Sequence, residues 1–303
     1  LLASLPKRIT HADRAVYDNG LTKLDVGRYY ATLAPQLLAE LRGRPLSLLR
    51  CPQGTQGSCF FQKHIATRMP AGLVPVEVQE KDGPAIYIAV EREEGLVSLA
   101  QHAAIELHPW GSRVPQLDRP DRLIIDLDPD ESIDWPTLLE AAWLARTLLQ
   151  ELGLAAFVRT TGGKGLHVVS PLAPRARWAT VKPFAQAIAR QLARVAPQRF
   201  TSNMAKDKRR GRIFIDYLRN AEGATAIASF SLRARPGAPV AMPVAWDELK
   251  PKRDLRNDHF NLRNAVAALP AAQAAWAGFD AQARPLDAAM LAALGVDGSL
   301  ALD

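Results

Sequence analysis

Cysteine is nearly absent from this sequence, with Cys51 and Cys59 the only two among 303 residues. Their spacing fits no zinc pattern, and no His or Cys stands nearby to complete one, so reduced structural thiols are expected, and with them a cytoplasmic setting. No run of about eighteen apolar residues occurs, and no charged start leads into an apolar core, so neither a membrane span nor a secretory leader is expected. Internal repeats, low-complexity tracts and Gly/Ser linkers are also missing. Acidic residues are the minority charge, 31 Asp and Glu against 38 Lys and Arg, for a formal net charge of +7. That balance favours an anionic partner, with nucleic acid a reasonable candidate. Enough apolar residue is present, 48%, to bury a substantial core. The chain begins at Leu1 rather than Met, as expected of a piece of something longer.

The periodicities predict one catalytic unit with two sub-lobes. From Lys23 to about Leu41, Tyr30, Leu33, Leu37 and Leu41 recur at helical spacing, with Asp25 as the cap and Gly43 beyond the end. Short strands are expected around 46–50, 60–63 and 85–90. Leu138, Ala142, Ala145, Leu149 and Leu152 follow a helical rhythm that Pro136 starts and Gly153 stops. A strand pair is expected at 157–161 and 166–170, then a helix carrying Phe184, Ile188 and Leu192 that ends before Pro197. Strands alternating with helices give an α/β reading.

The strongest chemical signal is Leu123-Ile124-Ile125-Asp126-Leu127-Asp128-Pro129. Alternate strand residues share a face, so Asp126 and Asp128 are presented together where Pro129 ends the ladder. Such close like charges repel unless a cation lies between them, and hard carboxylates suit Mg²⁺ or Mn²⁺. A solvated pair at a strand end is the bland alternative. Asp216, near the end of a second apolar strand, is a third candidate ligand, although a lone Asp there is more often structural. Three carboxylates suit two-metal phosphoryl transfer, and they suit a nuclease equally.

Thr161-Gly162-Gly163-Lys164-Gly165-Leu166-His167 combines a tight turn and backbone amides with donor side chains at Thr161, Lys164 and His167. Gly165 after the lysine, and a strand rather than a helix next, exclude a Walker loop. On 226–233, Ser229, Ser231 and Arg233 share one face, and the Arg233 guanidinium is shaped to fork onto a terminal phosphate. Adjacent Phe60 and Phe61 face opposite ways on a strand, one toward the core and the other able to stack on a base. Lys63, His64, His102 and His108 are further candidates without zincin spacing. The basic run 206–212 suits a phosphate backbone.

In order, the segments 9–14, 20–23, 43–47, 60–64, 106–110, the Asp126/Asp128 strand, 161–167, Asp216-Tyr217-Leu218-Arg219-Asn220 and 231–235 resemble the polymerase domain of bacterial ATP-dependent DNA ligase D, in the archaeo-eukaryotic primase superfamily. The resemblance runs along nearly the whole chain. It implies a mixed α+β fold of two small β-sheets with flanking helices around a central cleft, partly like an RNA-recognition-motif core. It implies that 1–303 is a single primase-like domain of a longer multidomain ligase. The implied activity is a template-dependent nucleotidyltransferase that fills gaps and extends broken DNA ends in non-homologous end joining. Ribonucleoside triphosphates would be preferred, with two divalent ions, Mn²⁺ or Mg²⁺. Asp126, Asp128 and Asp216 would bind the metals; Thr161, Lys164, His167 and Arg233 the triphosphate, with Lys63 and Arg219 also at the nucleotide. His108 would lie against the sugar, and Phe60 or Phe61 against template or base. His11, Arg14 and Lys23 would hold the 5′-phosphate of the downstream strand, His11 and Arg14 standing where the family often has Asn and Lys. Implied partners are gapped or recessed DNA ends, the linked ligase domain and Ku, in the bacterial nucleoid.

Rivals share parts of this pattern. A haloacid-dehalogenase-type phosphohydrolase also ends a strand in Asp-x-Asp, but Asp130 stands where that family prefers Thr or Val. A three-Asp nuclease would have no use for a nucleoside triphosphate. A non-catalytic DNA-end-binding module would gain nothing from acids in its cleft.

Overall fold

The computed structural model describes residues 5, 8–65, 69–250, 255–297 and 299. Its first helix is set by a reciprocal cap: the Thr22 hydroxyl accepts from the Asp25 N–H, and the Asp25 carboxylate accepts from the Thr22 N–H. Thr22, not Asp25, is therefore the cap residue of α1 (Lys23–Thr32). The single helix expected through Leu41 is two. Pro35 has no N–H to donate to the Ala31 carbonyl, so the ladder breaks and α2 (Ala34–Leu41) restarts with proline in its first turn. Gly43 then leaves at φ +72°. Tyr29, Tyr30, Leu33, Leu37 and Leu41 are fully buried, and the tyrosine hydroxyls donate to the carbonyls of Phe230 and of Ala104 and Ile105.

These helices belong to a unit made of residues 1–115, 225–242 and 258–269. Its sheet runs β2 (Phe60–Gln62), β1 (Leu46–Arg50), β4 (Gly83–Val90), β3 (Leu73–Glu80), with β5 (Ala104–Pro109) also paired to β1. As an edge strand, paired with β4 alone, β3 tolerates the N–H that Pro75 lacks. Helix α3 (Glu93–Gln101) packs against α1. Three further features of this unit differ from expectation. Cys51 and Cys59 are not reduced thiols: they form a disulfide, because the loop between β1 and β2 doubles back to pair Arg50 with Phe60 and brings the cysteine Cα atoms to 4.3 Å. Phe60 and Phe61 are both exposed, 48% and 60%, since β2 is a three-residue edge strand that offers no core to either face. The alternation expected on 226–233 is broken at Phe230, whose φ is +66°, and Ser229 and Ser231 are both buried.

Residues 116–224, 243–257 and 270–303 form the other unit. Its sheet carries, side by side, β7 (Phe157–Thr160), β8 (Leu166–Pro171), β6 (Arg122–Pro129), β10 (Ile213–Asp216) and β9 (Phe200–Thr201). Helix α4 (Trp135–Glu151) starts where Asp134 accepts from the Thr137 N–H and stops before Gly153 at φ +78°, as its spacing predicts. Helix α5 (Trp178–Val195) also matches expectation, and both pack against β6. Leu123, Ile125 and Leu127 are fully buried, which commits Asp126 and Asp128 to the opposite face of the strand. The second apolar strand ends at Asp216, whose carboxylate accepts from the Leu218 N–H and starts a short 3₁₀ turn, Leu218–Asn220. No helix among the described residues is long and apolar enough to cross a membrane.

Asn220 joins that turn to the aspartate strand. It accepts from the Ile124 N–H and donates to the carbonyls of Ile124 and Tyr217, all buried. Asn220→Ala strands those groups and is expected to cost about 2–3 kcal/mol. Urea unfolding should show a lower midpoint at unchanged slope; an unaltered midpoint would mean that β6 is held by other contacts.

Candidate active site

Sheet register assembles the first set of residues. Asp126 on β6 lies directly opposite His167 on β8 and Asp216 on β10, and His167 lies opposite Arg159 on β7. The row reads guanidinium, imidazole, carboxylate, carboxylate on one face of the sheet, and Asp128, two residues beyond Asp126, shares that face. Buried Arg159 donates from Nε at 3.2 Å and from Nη2 at 3.1 Å to His167 Nδ1. Nδ1 is therefore the bare nitrogen, and Nε2 carries the proton, 3.4 Å from Asp126 Oδ1. Burial pushes the His167 imidazole down to about 4 despite the pull of Asp126, so the ring is neutral at pH 7.

The three aspartates differ electrostatically. Arg219 Nε sits 3.0 Å from Asp126 Oδ2 and 3.5 Å from Asp216 Oδ2, while Arg209 Nη1 is 3.7 Å from Asp128 Oδ2. Burial works to raise the Asp126 carboxyl, but His167 and Arg219 outweigh it and hold that acid far below the usual carboxylate range. Burial, reinforced by the charge on Asp126, moves Asp128 and Asp216 above their ordinary values, and the nearby basic groups only partly offset it. Among the described residues no three His, Cys, Asp or Glu side chains form a ready-made metal cage. The chemistry of the donor set nonetheless fits a hard divalent cation: oxygen donors on one face, two of them under like-charge pressure.

The glycine turn closes against the end of that strand. A Cβ on Gly165 would lie 2.2 Å from the Leu127 carbonyl, so only glycine permits the approach. Asn257 fastens the turn, accepting from the Thr161 N–H and donating to the Lys164 carbonyl. The Thr161 hydroxyl donates to the Gly165 carbonyl at 2.8 Å and accepts from the Gly163 N–H, which makes it part of the turn's frame. Lys164 is exposed, and its Nζ lies 2.9 Å from the still more exposed Glu131, a pairing an anion would readily displace. Of the basic run, Lys206–Arg209 forms an exposed 3₁₀ turn from which Arg209 turns inward over Phe214, 3.7 Å from the ring centroid.

The other unit holds the second set. Glu106 and His108 alternate on β5; Glu106 Oε2 lies 2.8 Å from His108 Nε2, and Oε1 lies 3.1 Å from Arg233 Nε. The Phe61 ring stands edge-on to His108 at 5.4 Å between centroids, and the Arg50 guanidinium lies over Phe60 at 5.5 Å. Lys63 is exposed one residue past β2. His64 packs against Tyr87 and Glu80, and His102 Nδ1 bonds the Ser98 carbonyl, so each has a local structural role. Farther along this unit, Arg14, Lys23, Arg50 and His102 line a cleft of about 190 Å³. Burial, then the neighbouring charge of Arg14, pushes the Lys23 ammonium below its ordinary value, and burial does the same to Arg50. An anion would relieve both. His11 does not line the cleft; it is exposed at φ +51°, and its carbonyl accepts from the Arg14 N–H. Glu106, Arg159, Arg50 and Asn257 were not singled out by sequence reasoning. The one available signal was the alternation of Glu106 with His108, an acid and a base on one strand face.

Comparison with known proteins gives a consistent result. A family model described as the LigD primase-polymerase domain matches residues 22–276. The chain is 41% identical over 291 residues to the multifunctional non-homologous end joining protein LigD of Pseudomonas aeruginosa, covering 95% of this chain and 34% of that protein. It is 30% identical over 246 residues to the bifunctional non-homologous end joining protein LigD of Bacillus subtilis, covering 80% and 39%. The chain thus spans about a third of the length of the curated relatives it matches. Among solved structures, the polymerase domain from Mycobacterium tuberculosis ligase D in complex with DNA superposes with a TM-score of 0.85 at 32% identity, over 92% of this chain and all of that one.

The raised acid of Asp128 has a measurable sign. Because its folded value lies above the unfolded one, the ionised form lowers stability at neutral pH, and that effect fades as pH falls through the folded value. Asp128→Asn should therefore melt slightly higher than the wild type in metal-free buffer at pH 7, by less than about 1 kcal/mol because the group is exposed and screened. Mn²⁺ should raise the wild-type Tm more than the variant's. A variant less stable than the wild type without metal would remove the like-charge account.

Proposed function

The chain belongs to the LigD primase-polymerase domain family, and from that premise we propose that it is the nucleotidyltransferase part of a longer end-joining ligase, adding nucleotides at gapped or recessed DNA ends that carry a 5′-phosphate. The observation that carries the reading is the register that sets Asp126 opposite Asp216 with Asp128 on the same face. In this reading those carboxylates hold two divalent ions, Mg²⁺ or Mn²⁺, which would supply charge for the triphosphate and acidify the attacking hydroxyl. His167, which its motif implied at the triphosphate, is buried and bonded to Arg159 and Asp126, and in this reading it keeps Asp126 ionised and oriented by donating from Nε2. Lys164, the amides of the glycine turn and Arg233 bind the triphosphate, with Thr161 holding the turn in shape and Lys63 and Arg219 adding charge. His108 contacts the sugar and is the source of a ribonucleotide preference. Phe60 and Phe61, exposed aromatic faces on an edge strand, stack on template or base. Arg14, Lys23 and Arg50 take the 5′-phosphate, and His11 borders them. The DNA bound by the Mycobacterium tuberculosis domain is, on this proposal, the kind of ligand this chain binds, with Ku and a linked ligase domain as partners in the bacterial nucleoid.

Primer extension on a gapped, 5′-phosphorylated duplex, comparing ribo- with deoxyribonucleotides and Mn²⁺ with Mg²⁺, tests the central claim. Asp128→Ala should keep its circular dichroism spectrum and lose about a thousandfold or more in rate, since the carboxylate holds charge and contributes nothing to core packing. Near-normal extension by the folded variant would falsify the metal assignment.

The cleft makes a separate claim. DNA with a 5′-phosphate should bind more tightly than the same DNA with a 5′-hydroxyl, because the terminal monoester carries more charge than a backbone diester. Lys23→Ala should shrink that difference by about 1–2 kcal/mol. Exposed charges on 206–212 add affinity that ignores end chemistry and falls with salt. Titrations at fixed ionic strength decide the matter: a wild type blind to the two ends leaves the cleft without this role.

A further inference from the structure

The disulfide closes a loop that forms one wall of the basic cleft, and two of the cleft's cations are placed by what it closes. Cys51 is buried and lines the cleft together with Pro52 and Gly54. The first half of the loop is bonded to its surroundings: the Cys51 N–H donates to the Ala103 carbonyl and the Thr55 N–H to the Val16 carbonyl. Residues 56–58 are exposed, and the Gly57 N–H turns back onto the loop's own Gly54 carbonyl. The chain is caught again at Cys59, immediately before the three-residue strand β2, which pairs with β1. A bridge from His64 to Tyr87 holds the far end of that segment, and the disulfide holds the near end. Both ends of the loop hold guanidiniums. Arg14 Nη1 donates to the Pro52 carbonyl at 3.1 Å, while Arg50 donates from Nη1 to Gln62 Oε1 at 2.7 Å and lies over the Phe60 ring. Lys23 donates instead to the Thr10 carbonyl, outside the loop.

We propose that the Cys51–Cys59 bond is a redox-sensitive device for 5′-phosphate recognition: closed, it holds Pro52 and β2 where they direct Arg14 and Arg50 at the cleft, and opened by a dithiol, it loosens both. This rests on the reading of the cleft given above. Joining cysteines eight residues apart removes conformational freedom from the loop, and that freedom returns when the bond opens. Cys59 is the sulfur a reductant reaches, since it is half-buried while Cys51 is buried. A thiolate of the dithiol attacks Cys59 Sγ, the bond between the two sulfurs breaks, and Cys51 leaves as a thiolate. The second thiol of the reductant then attacks its own sulfur in the mixed disulfide and releases Cys59. Two electrons and two protons pass to the cysteines, and the dithiol becomes a disulfide. Arg14 and Arg50 keep their charge throughout. What changes is their direction, and a guanidinium that grips phosphate oxygens through its planar fork depends on direction.

The experiment measures binding of a gapped duplex carrying a 5′-phosphate or a 5′-hydroxyl to the whole 303-residue chain, oxidised and after treatment with dithiothreitol. The sequence has only these two cysteines, so alkylation followed by intact mass reports the bond directly: no label when closed, both cysteines labelled when open. Reduction is expected to lower the ratio of phosphate-end to hydroxyl-end affinity about fivefold, through weaker binding of the phosphorylated DNA, and reoxidation to restore it. Cys59→Ser should behave as the reduced protein in both buffers, with the circular dichroism spectrum of the wild type. Lys23→Ala, whose ammonium is placed outside the loop, should keep its sensitivity to the reductant. An unchanged ratio in a protein with both cysteines labelled overturns the proposal, and so does a protein that labels fully even after mild oxidation. A loss that falls equally on hydroxyl-ended DNA overturns it too, because that marks general loosening with no altered aim at a phosphate. Should Cys59→Ser not fold, the wild type in its two redox states decides alone. An oxidised protein that binds both ends alike brings down the cleft reading and this proposal with it. That outcome is distinct from an oxidised protein that discriminates and a reduced one that discriminates equally, which overturns the proposal and leaves the cleft reading standing.

Discussion

Carboxylates held side by side by backbone pairing cannot all stay ionised without positive charge beside them, and this constraint organises one whole unit of the molecule. Asp126 and Asp216 are opposed by register and Asp128 follows by alternation, so their proximity is enforced by ladder hydrogen bonds that no side-chain motion can relax. The surroundings respond to that charge. Arg219 bridges two of the acids, Arg209 leans over Phe214 toward the third, and His167 donates to Asp126. Even so, Asp128 and Asp216 remain raised. A protein optimised for stability alone would not retain such a set, whereas a site for cations and phosphates requires it.

Each unit also fixes a histidine with a buried ion, by complementary means. In one, Arg159 donates to His167 Nδ1 and so forces the proton onto Nε2, where it faces Asp126. In the other, Glu106 accepts directly from His108 Nε2. Both rings present Nε2 to a carboxylate, although the second buried ion beside them is the Arg159 guanidinium in one case and the Glu106 carboxylate itself in the other. The neutral His167 ring orients Asp126 without adding charge of its own.

Local rules accounted for much of the chain. The helical rhythm of 138–152, its Pro136 start and its Gly153 stop correspond to α4, and the paired strands around the glycine turn correspond to β7 and β8. Where local reading failed, a non-local fact had intervened. Pro35 split a helix whose apolar spacing ran on unbroken. Phe60 and Phe61 lacked a core because β2 lies on a sheet edge, which no property of their own segment reveals. The cysteines became a pair only once β1 and β2 folded back on each other. The serines of 226–233 lost their common face to a single positive φ at Phe230.

By itself the sequence determined the presentation of Asp126 and Asp128 on one face, the anion-ready glycine turn, and a run of motifs whose order points to one family. Those are consequences of period-two geometry and of glycine's freedom at Gly162, φ +62°, and both act within a few residues. Only the tertiary structure decided that Asp216 stands opposite Asp126, that Arg159 governs His167, that Arg50 rather than His11 joins Arg14 and Lys23, and that Glu106 joins His108 to Arg233. The physical reason is that pairing register and buried ion pairs link positions far apart in the chain. Their partners are chosen by which strands become neighbours, and no local periodicity carries that information.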